Sequence, residues 1–181
     1  MKKSHTFWPL VAFIVIADWI TKSLALEYLV PAHVPHRFIG TLVQFTLTFN
    51  QGTAFGIGAG PRSRVILSLV MVVALIVLYG MYRQAAPTDA WMGTCLGLVC
   101  GGALGNLIDR IRSPRGVVDF IDVRFGQWHF WTFNVADAGV TVGAILLAIL
   151  LWKRDRTYSA GGQHDLQTQV DGQALSPARQ H

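Results

Sequence analysis

Charge is scarce in this chain. Of its 181 residues only 14% are Asp, Glu, Lys or Arg, where a soluble domain carries about a quarter. Hydrophobic residues make up 52% and the mean hydropathy is +0.41. An ordinary soluble domain is thereby excluded and an integral membrane protein is expected. Cysteine is scarcer still. Cys95 and Cys100 lie in one apolar segment, on different sides of a helix, so buried thiols are expected rather than a disulfide or a metal site. Missing too are the His-Glu-x-x-His of zinc hydrolases, the Gly-x-Ser-x-Gly elbow and the P-loop. No metal or cofactor is called for. The net charge of +5 and the pI near 9.6 come from basic residues scattered over loop ends. That pattern suits an anionic lipid surface, not nucleic acid.

What is present is four apolar runs. The first covers about 8–29 and follows Met1-Lys2-Lys3. It opens like a secretory signal, but Asp18 and Lys22 interrupt it and no small-x-small cleavage site follows. It reads as an uncleaved span, ended by Pro31 and Pro35. The second covers about 65–82 without a charge, with Pro61 in its first turn. The third, about 90–110, carries Gly93, Gly97, Gly101 and Gly105 at every fourth position, a small-residue stripe on which another helix can lie close. The fourth covers about 134–152, with Asn134, Asp137 and Thr141 on one face.

Between spans one and two, residues 31–61 change period. Val43, Phe45, Leu47 and Phe49 alternate with Gln44, Thr46, Thr48 and Asn50, the pattern of a half-buried strand outside the hydrocarbon. A glycine-rich stretch follows, from Gly52 to Gly60. It reads either as a plain turn or as backbone that approaches a ligand closely. With the strand before it, it is expected to form a movable cover over a groove. Val117 to Phe125 is β-prone, and Gln127 to Trp131 is an aromatic interfacial cluster. The fold class is thus integral membrane and mainly α, with four transmembrane helices and a small β-rich extracytoplasmic segment and loop. Residues 1–153 make the membrane domain. Residues 154–181, polar and rich in Gln, Gly and Ser, are expected to be a disordered cytoplasmic tail.

Four spans put both termini on one side. Basic residues are nearly balanced across the two faces, so the positive-inside rule only leans toward cytoplasmic termini. On this count the strand, the end of span three and the start of span four share the other face.

Asp109, Asp119, Asp122 and Asp137 all fall between Gly101 and Asp137, and acids bordering apolar spans are costly without a purpose. Each has a purely structural reading. Asp137 completes a capping box with Asn134, Asp109 and Arg110 pair at a helix end, and Asp119 and Asp122 are solvated loop acids. Asp18 and Lys22 allow an i,i+4 ion pair with Lys22 reaching an interface, or face a polar site inside the bundle. Convergence favours chemistry. A short connector lets Asp119 and Asp137 meet near the bilayer surface, with Asn106, Arg110 and Asn134 as donors around them. Two carboxylates that close share a proton. Such a pair can deprotonate a water and protonate a leaving amine, which is peptide hydrolysis with no metal and no nucleophilic side chain.

The motifs resemble those of the bacterial lipoprotein signal peptidases, the type II signal peptidases, which are aspartic proteases of the inner membrane. Asp18-Trp19-Ile20-Thr21-Lys22 is similar to the family's Asp-x-x-Thr-Lys, and Asn50 to Phe55 to its Asn-x-Gly-x-Ala-Phe. Gly101 to Arg110 matches Gly-Gly-x-x-Gly-Asn-x-x-Asp-Arg. Val117 to Phe120 matches Val-Val-Asp-Phe, and Phe133 to Asp137 matches Phe-Asn-x-Ala-Asp. Ala138 departs from the family, which often has Ser there. The resemblance implies Asp119 and Asp137 as the catalytic pair, with Asn106, Arg110 and Asn134 orienting the pair or the substrate. It implies Asn50 and Gly52 on the substrate groove, and Asp18, Lys22 and Asp109 in support. It also implies cytoplasmic termini, a site on the periplasmic face of the inner membrane and no cofactor. The implied substrates are prolipoproteins cut just before a diacylglyceryl-modified cysteine, and the implied inhibitors are globomycin-type cyclic peptides. A monomer in membrane lipid is expected, since one chain supplies all four spans. Two other classes compete. A proton-coupled transporter needs a polar track, which the uncharged second span opposes. A non-catalytic scaffold would rest on the glycine stripe alone.

Overall fold

A computed structural model describes residues 2–40, 42–52, 61–126 and 128–174, the side chains of 61, 129 and 157–174 excepted. The stretch expected to form a movable cover lies, beyond Gly52, outside the described residues. The elements in order are α1 (Ser4–Tyr28), β1 (His36–Ile39), β2 (Val43–Asn50), α2 (Pro61–Gln84), α3 (Ala90–Arg112), β3 (Val117–Phe125), β4 (Trp128–His129) and α4 (Val135–Ala174). Among the described residues four helices are long and apolar enough to cross a bilayer.

The third span is the hub. Of its apolar window 61% is buried, against 22%, 11% and 17% for the other three, so α3 is enclosed while its partners face lipid. The glycine stripe explains how. A methyl group at Gly97 would stand 2.9 Å from the Phe7 carbonyl oxygen, and one at Gly101 would stand 2.9 Å from Ile14 Cβ. The stripe therefore seats α1 of the same chain along its length. At the terminus end the core is Phe7, Tyr82, Met92, Leu96 and Cys100, with Phe7 and Tyr82 stacked at 4.0 Å.

The strands form one small antiparallel sheet in the order β1-β2-β3-β4. A bulge in β2 sets Thr46 and Leu47 opposite Phe120, since Phe45 pairs Ile121 and Thr48 pairs Asp119. The alternation in β2 is read by the fold in an unexpected way. Gln44 and Thr46, expected outside, are buried. The reason is β3, which brings Asp122 to that face, where the Thr46 hydroxyl donates to it at 3.2 Å and Arg124 pairs with it at 2.8 Å. Neither Asp119 nor Asp122 is a solvated loop acid, at 2% and 1% exposed.

Helix α4 also departs from expectation. It continues past residue 152 to Ala174, where a disordered tail was expected. No proline interrupts it, and Arg154, midway along it, pairs with Asp89, the N-cap of α3, at 2.7 Å.

Candidate active site

Three local devices bring the polar residues to one place. First, β3 is stapled to the segment that leads into α4. Ile121 and Phe133 exchange backbone hydrogen bonds of 2.8 and 3.0 Å, so Asp119 comes beside the N-terminus of α4. Second, Asn134 and Asp137 close a reciprocal cap. The Asp137 N–H donates to Asn134 Oδ1 at 2.9 Å, and the Asn134 N–H donates to Asp137 Oδ2 at 3.2 Å. Third, α1 reaches in, for the Ala136 N–H donates to Asp18 Oδ1 at 2.9 Å. That contact needs glycine at 105, since a Cβ there would lie 2.7 Å from Asp18 Oδ2 and 3.3 Å from Ala136 Cβ.

Two asparagines then join the carboxylates. Asn134 Nδ2 donates to Asp119 Oδ1 at 2.7 Å and to Asn106 Oδ1 at 3.1 Å. Asn106 Nδ2 donates to Asp137 Oδ1 at 2.7 Å. The Asn106 amide is turned that way by Lys22, whose ammonium donates to Asn106 Oδ1 at 3.0 Å. Lys22 also binds Asp18 at 2.6 Å and Asp109 at 2.8 Å. At 4% exposure it does not reach for an interface. The i,i+4 pair and the inward-facing polar site are thus both present. Asp109 Oδ2 additionally accepts from the Val118 N–H at 3.2 Å, so it braces β3 and does not pair with Arg110. The capping role of Asp137 coexists with its place in the network, because the cap leaves Oδ1 to Asn106.

The Asn50 side chain lies near Asp119 and favours its charged form. Its Oδ1 accepts from the Gly52 N–H at 2.8 Å, which commits that oxygen to the turn. Gly52 has φ +99°, a region that favours glycine, and it is buried behind Asn50 against Leu67. Burial, with the charge of Asp137 added, pushes the Asp119 carboxyl up to about 7.

The network opens on a groove of about 870 Å³ between α2, α3 and α4. Asn50, Asn106, Arg110 and Asp137 stand at its polar end. Leu67, Val70, Met71 and Leu78 of α2 line one wall, Val99 and Ala103 the floor, and Phe130 and Trp131 the mouth. Arg110 is 7% exposed and, among the described residues, donates only to Met71 Sδ, at 3.7 Å. Its charge acts on Asp119, Asp137 and Asp109. The α2 wall was not singled out from the sequence, since one apolar residue of a span looks like any other. A hint lay in the second span's being the least buried, but burial is not written in the chain.

A carboxyl whose pKa lies near neutrality, coupled to a second carboxylate at the polar end of an apolar groove, can take up and release a proton there. The fold and site define a membrane-embedded enzyme. The family pattern described as Signal peptidase (SPase) II matches residues 10–153. A lipoprotein signal peptidase of Syntrophotalea carbinolica is 40% identical over 147 residues, covering 80% of this chain and 89% of that one. One of Coxiella burnetii is 36% identical over 156 residues, covering 83% and 93%. A bacterial membrane enzyme solved by the in meso method at 2.3 Å resolution superposes with a TM-score of 0.73 at 32% identity, covering 82% and 88%. The chain belongs to the signal peptidase II family, the aspartic peptidases that cleave the signal peptides of prolipoproteins.

Proposed function

We propose that Asp119 and Asp137 are the catalytic pair and that the chain cuts just before the lipid-modified cysteine of its prolipoproteins. The observation that carries this is the amide bridge Asp119–Asn134–Asn106–Asp137 at the head of the apolar groove. In the proposed cycle Asp119 holds the proton and Asp137, on the groove wall, is the base. Asp137 takes a proton from a water held between them. The hydroxide adds to the scissile carbonyl, while the Asp119 proton goes to the carbonyl oxygen. Collapse of the tetrahedral intermediate sends a proton to the leaving amine and restores the shared proton. The Arg110 guanidinium, at the polar end of the groove, steadies the developing charge. Asn106, Asn134 and Asn50 orient the pair. Asp18, Lys22 and Asp109 hold the orienting residues, and Gly52 aims Asn50.

The groove fits a diacylglyceryl cysteine. Its acyl chains would lie on the α2 wall, with the peptide bond at the polar end. Cyclic peptides of the globomycin type would occupy the same groove. Among the described elements α2 packs chiefly on α3, so a substrate can enter laterally beside it. The four spans and the resemblance support cytoplasmic termini, a periplasmic-facing site in the bacterial inner membrane and a monomer in lipid.

The test is a gel-shift cleavage assay with purified protein and a lipidated prolipoprotein. Asp119→Asn and Asp137→Asn should each abolish cleavage while the protein still folds. Precursor without diacylglycerol should be a poor substrate. Near-normal cleavage by both variants would overturn the assignment.

A further inference from the structure

A second cavity lies on another flank of α3 and shares no lining residue with the substrate groove. It is a cleft of about 370 Å³ between α1 and α3 at their sheet end. Its lower wall is apolar, made by Val15, Trp19 and Ile108. Its rim is polar, with Arg112 and Arg115, and Lys22 lies buried in the wall behind them. Val15 lies below Ser23 on the same face of α1, about 12 Å along the helix axis. The cleft therefore runs from the headgroup level into the hydrocarbon.

The charges on its walls are unevenly used. Asp18 and Asp109 both bind Lys22, and they accept from the backbone N–H groups of Ala136 and Val118 as well. All three protons of Lys22 are taken, the third by Asn106. The two arginines are different. The Arg112 guanidinium lies over the Trp19 ring at 4.2 Å and that of Arg115 over the Phe49 ring at 4.4 Å. A cation–π contact uses the face of a guanidinium and leaves its N–H edge open. Among the described residues neither arginine has a carboxylate partner or a side-chain hydrogen bond, and both are exposed. With three cations against two carboxylates, the cleft keeps a single positive charge at the depth of a lipid phosphate.

We propose that the α1/α3 cleft binds one anionic phospholipid, its phosphodiester on the N–H edges of Arg112 and Arg115 and an acyl chain along Val15, Trp19 and Ile108. The guanidinium fork matches phosphate oxygens in pairs. A zwitterionic headgroup fits less well, because its own ammonium would face the same arginines. The apolar lower wall distinguishes a lipid from a free anion, which has nothing to place there.

The test is native mass spectrometry of the full chain released from nanodiscs of equimolar phosphatidylglycerol and phosphatidylcholine with matched acyl chains. Wild type should retain one phosphatidylglycerol over phosphatidylcholine by about tenfold or more. Arg112→Gln/Arg115→Gln should lose that preference, while Arg37→Gln/Arg83→Gln, in β1 and the last turn of α2, should keep it. Equal retention of the two lipids by wild type would overturn the proposal without reference to any variant. So would loss of the preference in the control pair, which would mean general surface attraction. Displacement of the bound lipid by millimolar inorganic phosphate would assign the site to a free anion and refute the lipid reading. Retention is read without turnover, so this result and that of the cleavage assay are independent.

Discussion

Asp119→Asn should make the protein more stable as pH rises, while abolishing cleavage. The wild-type carboxyl has its pKa moved from 3.8 to about 7, by burial first and by the charge of Asp137 second. The folded chain therefore holds this proton across a window in which the unfolded chain has already released it. The sign follows. The contribution to stability is fully present below about pH 4, declines as pH rises, and is gone above about 7. At about 1.4 kcal/mol per unit, the ionised carboxylate costs about 4 kcal/mol of folding stability at alkaline pH. Asparagine is neutral throughout. Its oxygen can still accept from Asn134, now bonded to Oδ1 at 2.7 Å, but its NH2 takes the place of a carboxylate oxygen that can only accept. That mismatch subtracts about 1 to 3 kcal/mol at every pH. The diagnostic is the slope, not the offset. Unfolding of both proteins in the same detergent, followed by circular dichroism from pH 4 to 8, gives the difference directly, and titrations common to both cancel. The variant should gain about 1.4 kcal/mol per pH unit up to neutrality and then level off. A difference that stays flat across the series would refute the reasoning and remove Asp119 as the proton-holding member of the pair.

The same proton governs rate. Wild-type cleavage should fall about tenfold per pH unit above roughly 7, as the pair loses it, and an initial-rate profile on lipidated precursor checks this. Lys22→Met leaves the buried Asp18 and the partly buried Asp109 without their cation, so unfolding should show a loss of about 3 to 5 kcal/mol. Lys22→Arg should recover part of that loss. Gly105→Ala drives a methyl group against Asp18 Oδ2 at 2.7 Å and should lose about 1 to 3 kcal/mol together with cleavage. Gly80→Ala, with open space around it, should be neutral or gain up to about 1 kcal/mol, as thermal unfolding of the pair will show.

Much of the architecture was legible because a bilayer leaves few choices. An apolar run of about 20 residues can satisfy its backbone in hydrocarbon only as a helix, so the four spans followed from composition. The helix stripe at Gly93 to Gly105 announced a close neighbour, although not that the neighbour is α1. The site was legible as types: buried acids, amides and an arginine on one membrane face. Asp109 beside Arg110 invites an ion pair between neighbours. In the fold Asp109 turns to Lys22, because α3 packs against α1, two spans earlier in the chain. Thr46 alternates like an outward residue, yet Asp122 from β3 covers it.

The sequence by itself determined which groups exist and that they share one end of the helix bundle, because spacing along a helix or strand sets the facing of nearby residues. It could not determine the partners of Lys22, Asn106 and Asn134. Each of these lies between elements far apart in the chain, and an amide reads the same from either end until a donor fixes it. Only the tertiary structure decided that Lys22 turns Asn106 toward Asp137, that Asn134 answers to Asp119, and that burial raises the Asp119 carboxyl to about 7. Burial and orientation belong to the assembled fold, and the pairing of the two carboxylates rests on both.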